Sequence, residues 1–139
     1  MGYKRAERVT MSIMGASFDP LDSTVYYFSD KGSQVPTTAA NYRYMSIPYT
    51  GIITGCVISS VAGTVTGSNE LIDFKIRKNN TTDYDVGTVS AASVQRVVKN
   101  MALNIPITNG DSIEIKITTP AWATNPEGMY FGGIVEITI

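Results

Sequence analysis

The sequence predicts an all-β protein built as a sandwich or barrel of antiparallel strands. Apolar and polar residues alternate with period two in several short stretches, as they do in strands with one face buried. Clusters of Asn, Asp, Gly and Ser punctuate those stretches at short intervals, as turns do. Only one stretch competes with a helical spacing.

The clearest strand is SIEIKIT, where Ile113, Ile115 and Ile117 face one way and Ser112, Glu114 and Lys116 the other. In IDFKIRK, Ile72, Phe74 and Ile76 oppose Asp73, Lys75 and Arg77. In IVEITI, the apolar face Val135, Ile137, Ile139 runs to the last residue. This pattern suits antiparallel sheets with one solvated side. Further strands are expected over residues 24–28, 42–47, 52–61, 84–89 and 103–107. Turns are expected at Asp30-Lys31-Gly32, Gly67-Ser68-Asn69, Asn79-Asn80 and Asn109-Gly110-Asp111. The competitor is SVQRVVKNM: Val94, Val97, Val98 and Met101 fit a helix by spacing, while its valines favour a strand. It is read as a strand or a single helical turn.

A chain of 139 residues is one domain, long enough to form a core without disulfide staples. The formal net charge of −1 argues against a general nucleic-acid binder, which needs a basic face. The lone Cys56 lies in the apolar run GIITGCVISS and reads as a buried thiol, with a reactive thiol as the alternative. The opening MGYKRAERVTMSIMGASF has a basic start but lacks the continuous apolar segment of a signal peptide, and is expected not to act as one. No run approaches the ~20 apolar residues of a membrane span. Residues 1–20 are expected to form an N-terminal arm, and residues 21–139 the folded domain.

Catalytic chemistry is sparse. With no histidine, Ser-His-Asp and Cys-His sites and the usual zinc sets are excluded. No phosphate-cradling glycine motif is present, and no cofactor is expected. Asp83 and Asp85 share a strand face and have the oxygen chemistry for Ca²⁺, but a solvated edge explains them as well. Glu114 and Glu136 could pair as a glycosidase does, yet outward charge on a strand needs no function. The overlapping sequons in Asn79-Asn80-Thr81-Thr82 read as a turn. The protein is expected not to be an enzyme.

Tyrosine is abundant in or beside the expected strands, including Tyr49 and Tyr130, as suits subunit contacts or sheet packing. The only tryptophan, Trp122, lies between prolines in TPAWATNPEG. Proline keeps this segment out of an inner strand. Trp122 therefore covers an end of the fold, meets a neighbouring subunit, or offers a stacking platform to a sugar or partner protein.

Four segments occur in order: IPYTGIITGCVISS, GTVTGSNELIDFKIRKNNTTD, ALNIPITNGDSIEIKITTPAWATNPEG and YFGGIVEITI. In this order they resemble the C1q/TNF-like jelly-roll modules of phage virion proteins, of the tail-fibre-tip, receptor-binding-head and capsid-decoration type, a resemblance that covers roughly residues 45–139. The resemblance implies an antiparallel jelly-roll β-sandwich, a homotrimer with apolar side chains at its threefold axis, and no catalytic residues. It also implies a virion protein made in the host cytoplasm and displayed on the particle surface. The sequence has no collagen-like repeat or heptad run that would make a fibre shaft. The expectation is therefore a capsid decoration protein contacting the major capsid protein, with a tail-associated tip that binds host glycan or receptor as the alternative. Docking to the shell is expected through Lys4, Arg5, Arg8, Met11, Ile13 and Met14. Surface or subunit contact is expected through Trp122, Tyr130 and Tyr49.

Overall fold

A computed structural model describes residues 7–31, 34–61, 70–91 and 96–139, which form ten strands in two antiparallel sheets. The strands are β1 (Arg8–Phe18), β2 (Val25–Phe28), β3 (Met45–Ser46), β4 (Gly51–Val61) and β5 (Leu71–Lys78). They continue as β6 (Thr82–Ser90), β7 (Arg96–Asn100), β8 (Ile105–Ile107), β9 (Ser112–Thr118) and β10 (Met129–Thr138). Sheet A runs β1-β10-β4-β7, with β8 continuing beside β4. Sheet B runs β2-β9-β5-β6, with β3 continuing beside β9. The two stack as a sandwich.

Alternation builds the core, as period-two patterning requires. Ile72, Phe74 and Ile76 of β5 and Ile113, Ile115 and Ile117 of β9 are buried against Ile53, Ile58, Phe131, Val135 and Ile137 of sheet A. The chain's four phenylalanines meet at one point. Phe131 of β10 stacks on Phe28 of β2 at 5.7 Å between centroids. It also meets Phe74 of β5 edge-on at 5.6 Å and Phe18 of β1 at 6.1 Å. This cluster joins both sheets through one side chain.

Turn chemistry fits the backbone. Asn79 and Asn80 link β5 to β6 with φ of 50° and 54°, a region asparagine tolerates better than other side chains. The Asn79 amide also donates to Asp111 Oδ1 at 3.0 Å, and its oxygen accepts from Ser112 N at 2.9 Å. The β5–β6 turn is thereby pinned to the turn before β9. Sheet A contains a close approach at Gly133, where any Cβ would collide with the Val57 carbonyl.

Several expectations change. Residues 8–18, assigned above to an arm, form a full edge strand in register with β10 from Arg8↔Thr138 to Gly15↔Phe131. Val9, Met11 and Ile13 alternate there with Thr10, Ser12 and Met14, which is why the segment joins a sheet. The strand expected over 42–47 shrinks to Met45–Ser46, because the chain before it makes an excursion through Asn41 at φ 58°. β10 stops at Thr138 and Ile139 is exposed. Of SVQRVVKNM, Arg96–Asn100 is strand β7 and Val94 lies outside the described residues. The Gly67-Ser68-Asn69 turn and Gly32 also lie outside them.

Removing the Phe131 ring takes away its contacts with both sheets. Phe131→Ala should cost about 3–5 kcal/mol of unfolding free energy, the usual range for such a truncation. Urea denaturation monitored through the single tryptophan measures it, and a cost below about 1 kcal/mol would contradict the hub role of the ring.

Candidate interaction surfaces

The outward faces of the two sheets differ in chemistry. On sheet B the charges are matched. Arg77 of β5 bonds Asp83 of β6 at 2.9 Å, and Lys116 of β9 bonds the other Asp83 oxygen at 2.7 Å. Lys75 pairs with Asp85 and lies 3.5 Å from Asp73. Burial pushes the Asp83 pKa up, but the hydrogen bonds from Lys116 and Arg77 prevail and leave it below its usual value. The aspartates weighed above as Ca²⁺ ligands are thus engaged by cations of their own sheet. Among the described residues no group of His, Cys, Asp and Glu is arranged to hold a metal ion.

Glu114, expected on the solvated face, is only 2 % exposed. The chain leaves sheet B after β2, returns as β3 on the same side of β9, and folds the intervening loop over Glu114. Asn41 N donates to Glu114 Oε1 at 2.8 Å, while Oε2 is buried with no hydrogen-bond partner among the described residues. Burial pushes the Glu114 pKa up, against the Asn41 N–H and the charge of Arg77, with Asp83 adding to the rise. Glu136, its partner in the glycosidase reading, is on β10 of sheet A and accepts a hydrogen bond from Thr54 Oγ1 at 3.1 Å. The two carboxylates belong to different sheets and are not brought together as a catalytic pair.

Sheet A presents the opposite character outward. Met14, Ile52, Val61, Val97 and Tyr130 lie on its outer side, at 39–53 % exposure, because their strand neighbours Ile13, Ile53, Ser60, Val98 and Phe131 point inward. Where β1, β10 and β4 run together, Met14, Ala16, Ser59, Val61, Tyr130 and Gly132 line a shallow cleft of about 330 Å³. Gly132 on β10 keeps its floor free of side chains.

The expected contact residues scatter over this frame. Lys4 and Arg5 lie outside the described residues. Arg8 is exposed at the start of β1, Met14 is exposed on the outer face of sheet A, and Met11 is half-buried on the inner side. Ile13 is in the core and unavailable for docking. Tyr130 is exposed on the outer face, whereas Tyr49 is half-buried against the core.

Trp122 is 7 % exposed and belongs to the core. Its Nε1 donates to Leu21 O at 3.2 Å, and its backbone N donates to Asp22 Oδ1 at 3.1 Å. Thr119 Oγ1 ties the same loop to Leu21 O at 2.7 Å. The indole thus closes one end of the sandwich, with its one polar atom satisfied, and offers no open stacking surface. Burial pushes the Cys56 thiol up to about 12, as suits an inert packing residue. The apolar outer face of sheet A was missed in the sequence; its signal was apolar residues on both faces of GIITGCVISSV and MYFGGIV.

No known family model matches the chain, and no curated protein matches it. The described residues contain no helix long and apolar enough to cross a membrane.

Folded Glu114 holds its proton to higher pH than the unfolded chain does. The stability it contributes is therefore fully present below the unfolded carboxylate pKa of about 4.3 and is lost as pH rises through the raised folded value. Asp83 and Asp111, both lowered, give the opposite slope in parent and variant alike. Glu114→Gln should remove the loss on the alkaline side of that window. Denaturation curves across the acid-to-neutral range check it, and a parent-like decline in the variant would refute the assignment.

Proposed function

We propose that this chain is a non-enzymatic structural protein of a bacteriophage particle, a homotrimeric jelly-roll module that decorates the capsid. The observation that carries the self-assembling part is the contrast between the outer faces. Sheet B carries matched ion pairs on its outer side, whereas sheet A leaves Met14, Val61, Val97 and Tyr130 exposed where β1, β10, β4 and β7 run side by side. Contiguous exposed apolar residues of this kind mark interaction surfaces. Copies of one chain that bury such a face around a rotation axis form a closed assembly.

The jelly-roll reading is supported by the strand order, β1-β10-β4-β7 against β2-β9-β5-β6, in which sequence-distant strands alternate between the sheets as two interleaved Greek keys require. The virion setting rests on the resemblance of residues 45–139 to phage jelly-roll modules. The non-enzymatic part rests on chemistry: no histidine, an unreactive Cys56, Asp83 and Asp85 engaged by cations of their own sheet, and Glu114 and Glu136 on different sheets. Of the two virion locations, the capsid surface is favoured over a glycan-binding tail tip because the single tryptophan, Trp122, is packed inside.

Two measurements test this. Light scattering on the purified chain should give three times the monomer mass. Val61→Asp, which places a charge on the face without touching the core, should weaken association by at least about tenfold, an effect of about 1.4 kcal/mol, while leaving unfolding unchanged. A parent that stays monomeric at all concentrations would overturn the assembly. Gold-labelled antibody on purified particles should decorate the head evenly; gold confined to the tail would transfer the protein to receptor binding, and unlabelled particles would remove the virion reading.

A further inference from the structure

β1 is the outermost strand of sheet A, and among the described residues its outer edge is guarded along only half of its length. Ile139 N donates to Glu7 O, which fixes the parity of the ladder: Glu7, Val9, Met11 and Ile13 turn their backbone polar groups toward β10. Arg8, Thr10, Ser12 and Met14 therefore turn theirs away from it. Toward the C-terminal end that edge is occupied, since Met14 N donates to Ser29 O at 2.7 Å and Ala16 N to Gln34 O at 3.0 Å. Over Arg8, Thr10 and Ser12 no described strand or loop accepts or donates, and all three side chains are exposed. The segment carries one charge, Arg8 at its start, but no proline and no bulge, two of the devices that usually blunt an open edge.

We infer that this half-edge is a docking site for the same half-edge of a second copy, the two β1 strands pairing antiparallel about a twofold axis at Thr10. The open length selects the register. Pairing centred on Thr10 sets Arg8 against the partner's Ser12 and Thr10 against the partner's Thr10. Each residue with outward backbone groups thus meets another, and the pairing ends where Ser29 already holds Met14. A shift of one residue would oppose outward groups to residues whose own groups are committed to β10. The same register brings Val9 of one copy beside the partner's Met11 on the inner side, where both are half-buried at the margin of the core. Those are non-hydrogen-bonded positions, at which cross-strand side chains lie closest. No like charges fall opposite one another, because Arg8 meets a serine. Thr–Thr pairs and apolar pairs are both favourable cross-strand neighbours.

This contact uses backbone groups at the edge of sheet A and is separate from the outer face invoked for the trimer. It links two copies, or two trimers, into one continuous sheet.

Light scattering on the full chain over a wide concentration range, with two kinds of variant, tests the inference. Thr10→Pro removes an outward N–H that makes no bond to β10, so the fold is retained while the edge is blocked. The parent should reach twice the mass of Thr10→Pro at high concentration. Single-cysteine variants then read the register, with Cys56 buried and unreactive. Thr10→Cys should be joined to itself by a short bis-maleimide crosslinker, which adds to one thiol at each end. Ser12→Cys should be joined efficiently only when mixed with Arg8→Cys. Equal masses for parent and Thr10→Pro, or equal self-crosslinking of Ser12→Cys and Thr10→Cys, would overturn the edge pairing. A trimeric parent unaffected by Thr10→Pro would sink this contact and leave the face reading standing; a parent that is always monomeric would sink both.

Discussion

The burial of Phe131 is the constraint on which the rest of the molecule depends. Its ring lies between β10 and sheet B and touches Phe28, Phe74 and Phe18, so one side chain sets the spacing of the sheets and anchors the edge strand. Aromatic pairs of this kind add about 0.5–1.5 kcal/mol each beyond the area they bury. The geometric consequence is larger. With Phe131 inward, the pleat forces Tyr130 and Gly132 outward, and the β1–β10 register carries the same parity to Met14, Ser12 and Thr10. The outer face and the open edge are therefore what remains of sheet A once its aromatic centre is fixed.

Much of this frame was legible in the residues. The strands around Ile113, Phe74 and Val135 stand where period-two alternation placed them, since both sheets bury a single inner face. What could not be read was non-local. Glu114 alternates with isoleucines as an outward residue should, and it does point outward. It is buried because a loop some seventy residues earlier in the chain folds over it. Strand β1 failed for a different reason. Its alternation is present in RVTMSIM, but the outward Thr and Ser made the stretch look like a broken apolar segment, and its partner lies at the opposite end of the chain.

Trp122 illustrates how a loop residue can belong to the core. Prolines keep its segment out of the ladder, as the sequence implied, yet the indole turns back onto the end of the sandwich. The deciding interaction is its Nε1–H bond to Leu21 O. A buried indole without a partner would carry a desolvation cost of about 1–3 kcal/mol. Leu21 precedes β2 and Trp122 follows β9, the adjacent strands of sheet B. The loop thus clamps the end of a strand pair, and that use competes directly with ligand stacking.

The two surfaces of sheet A would respond to their surroundings in different ways. A contact made by Met14, Val61, Val97 and Tyr130 draws on apolar burial, which weakens on cooling and strengthens with excluded salts. A contact made by the backbone of Arg8, Thr10 and Ser12 draws on directional hydrogen bonds, with little charge to screen. Sheet B, whose charges are neutralised within the chain, contributes to neither and keeps the other side of the molecule solvated. A module with an apolar patch on one face, ion pairs on the other and one half-open edge has a built-in polarity: apolar association would turn sheet A inward and leave the ion-pair ladder of sheet B toward solvent. Because the open edge is perpendicular to both faces, pairing there would extend such an assembly sideways without covering the ladder.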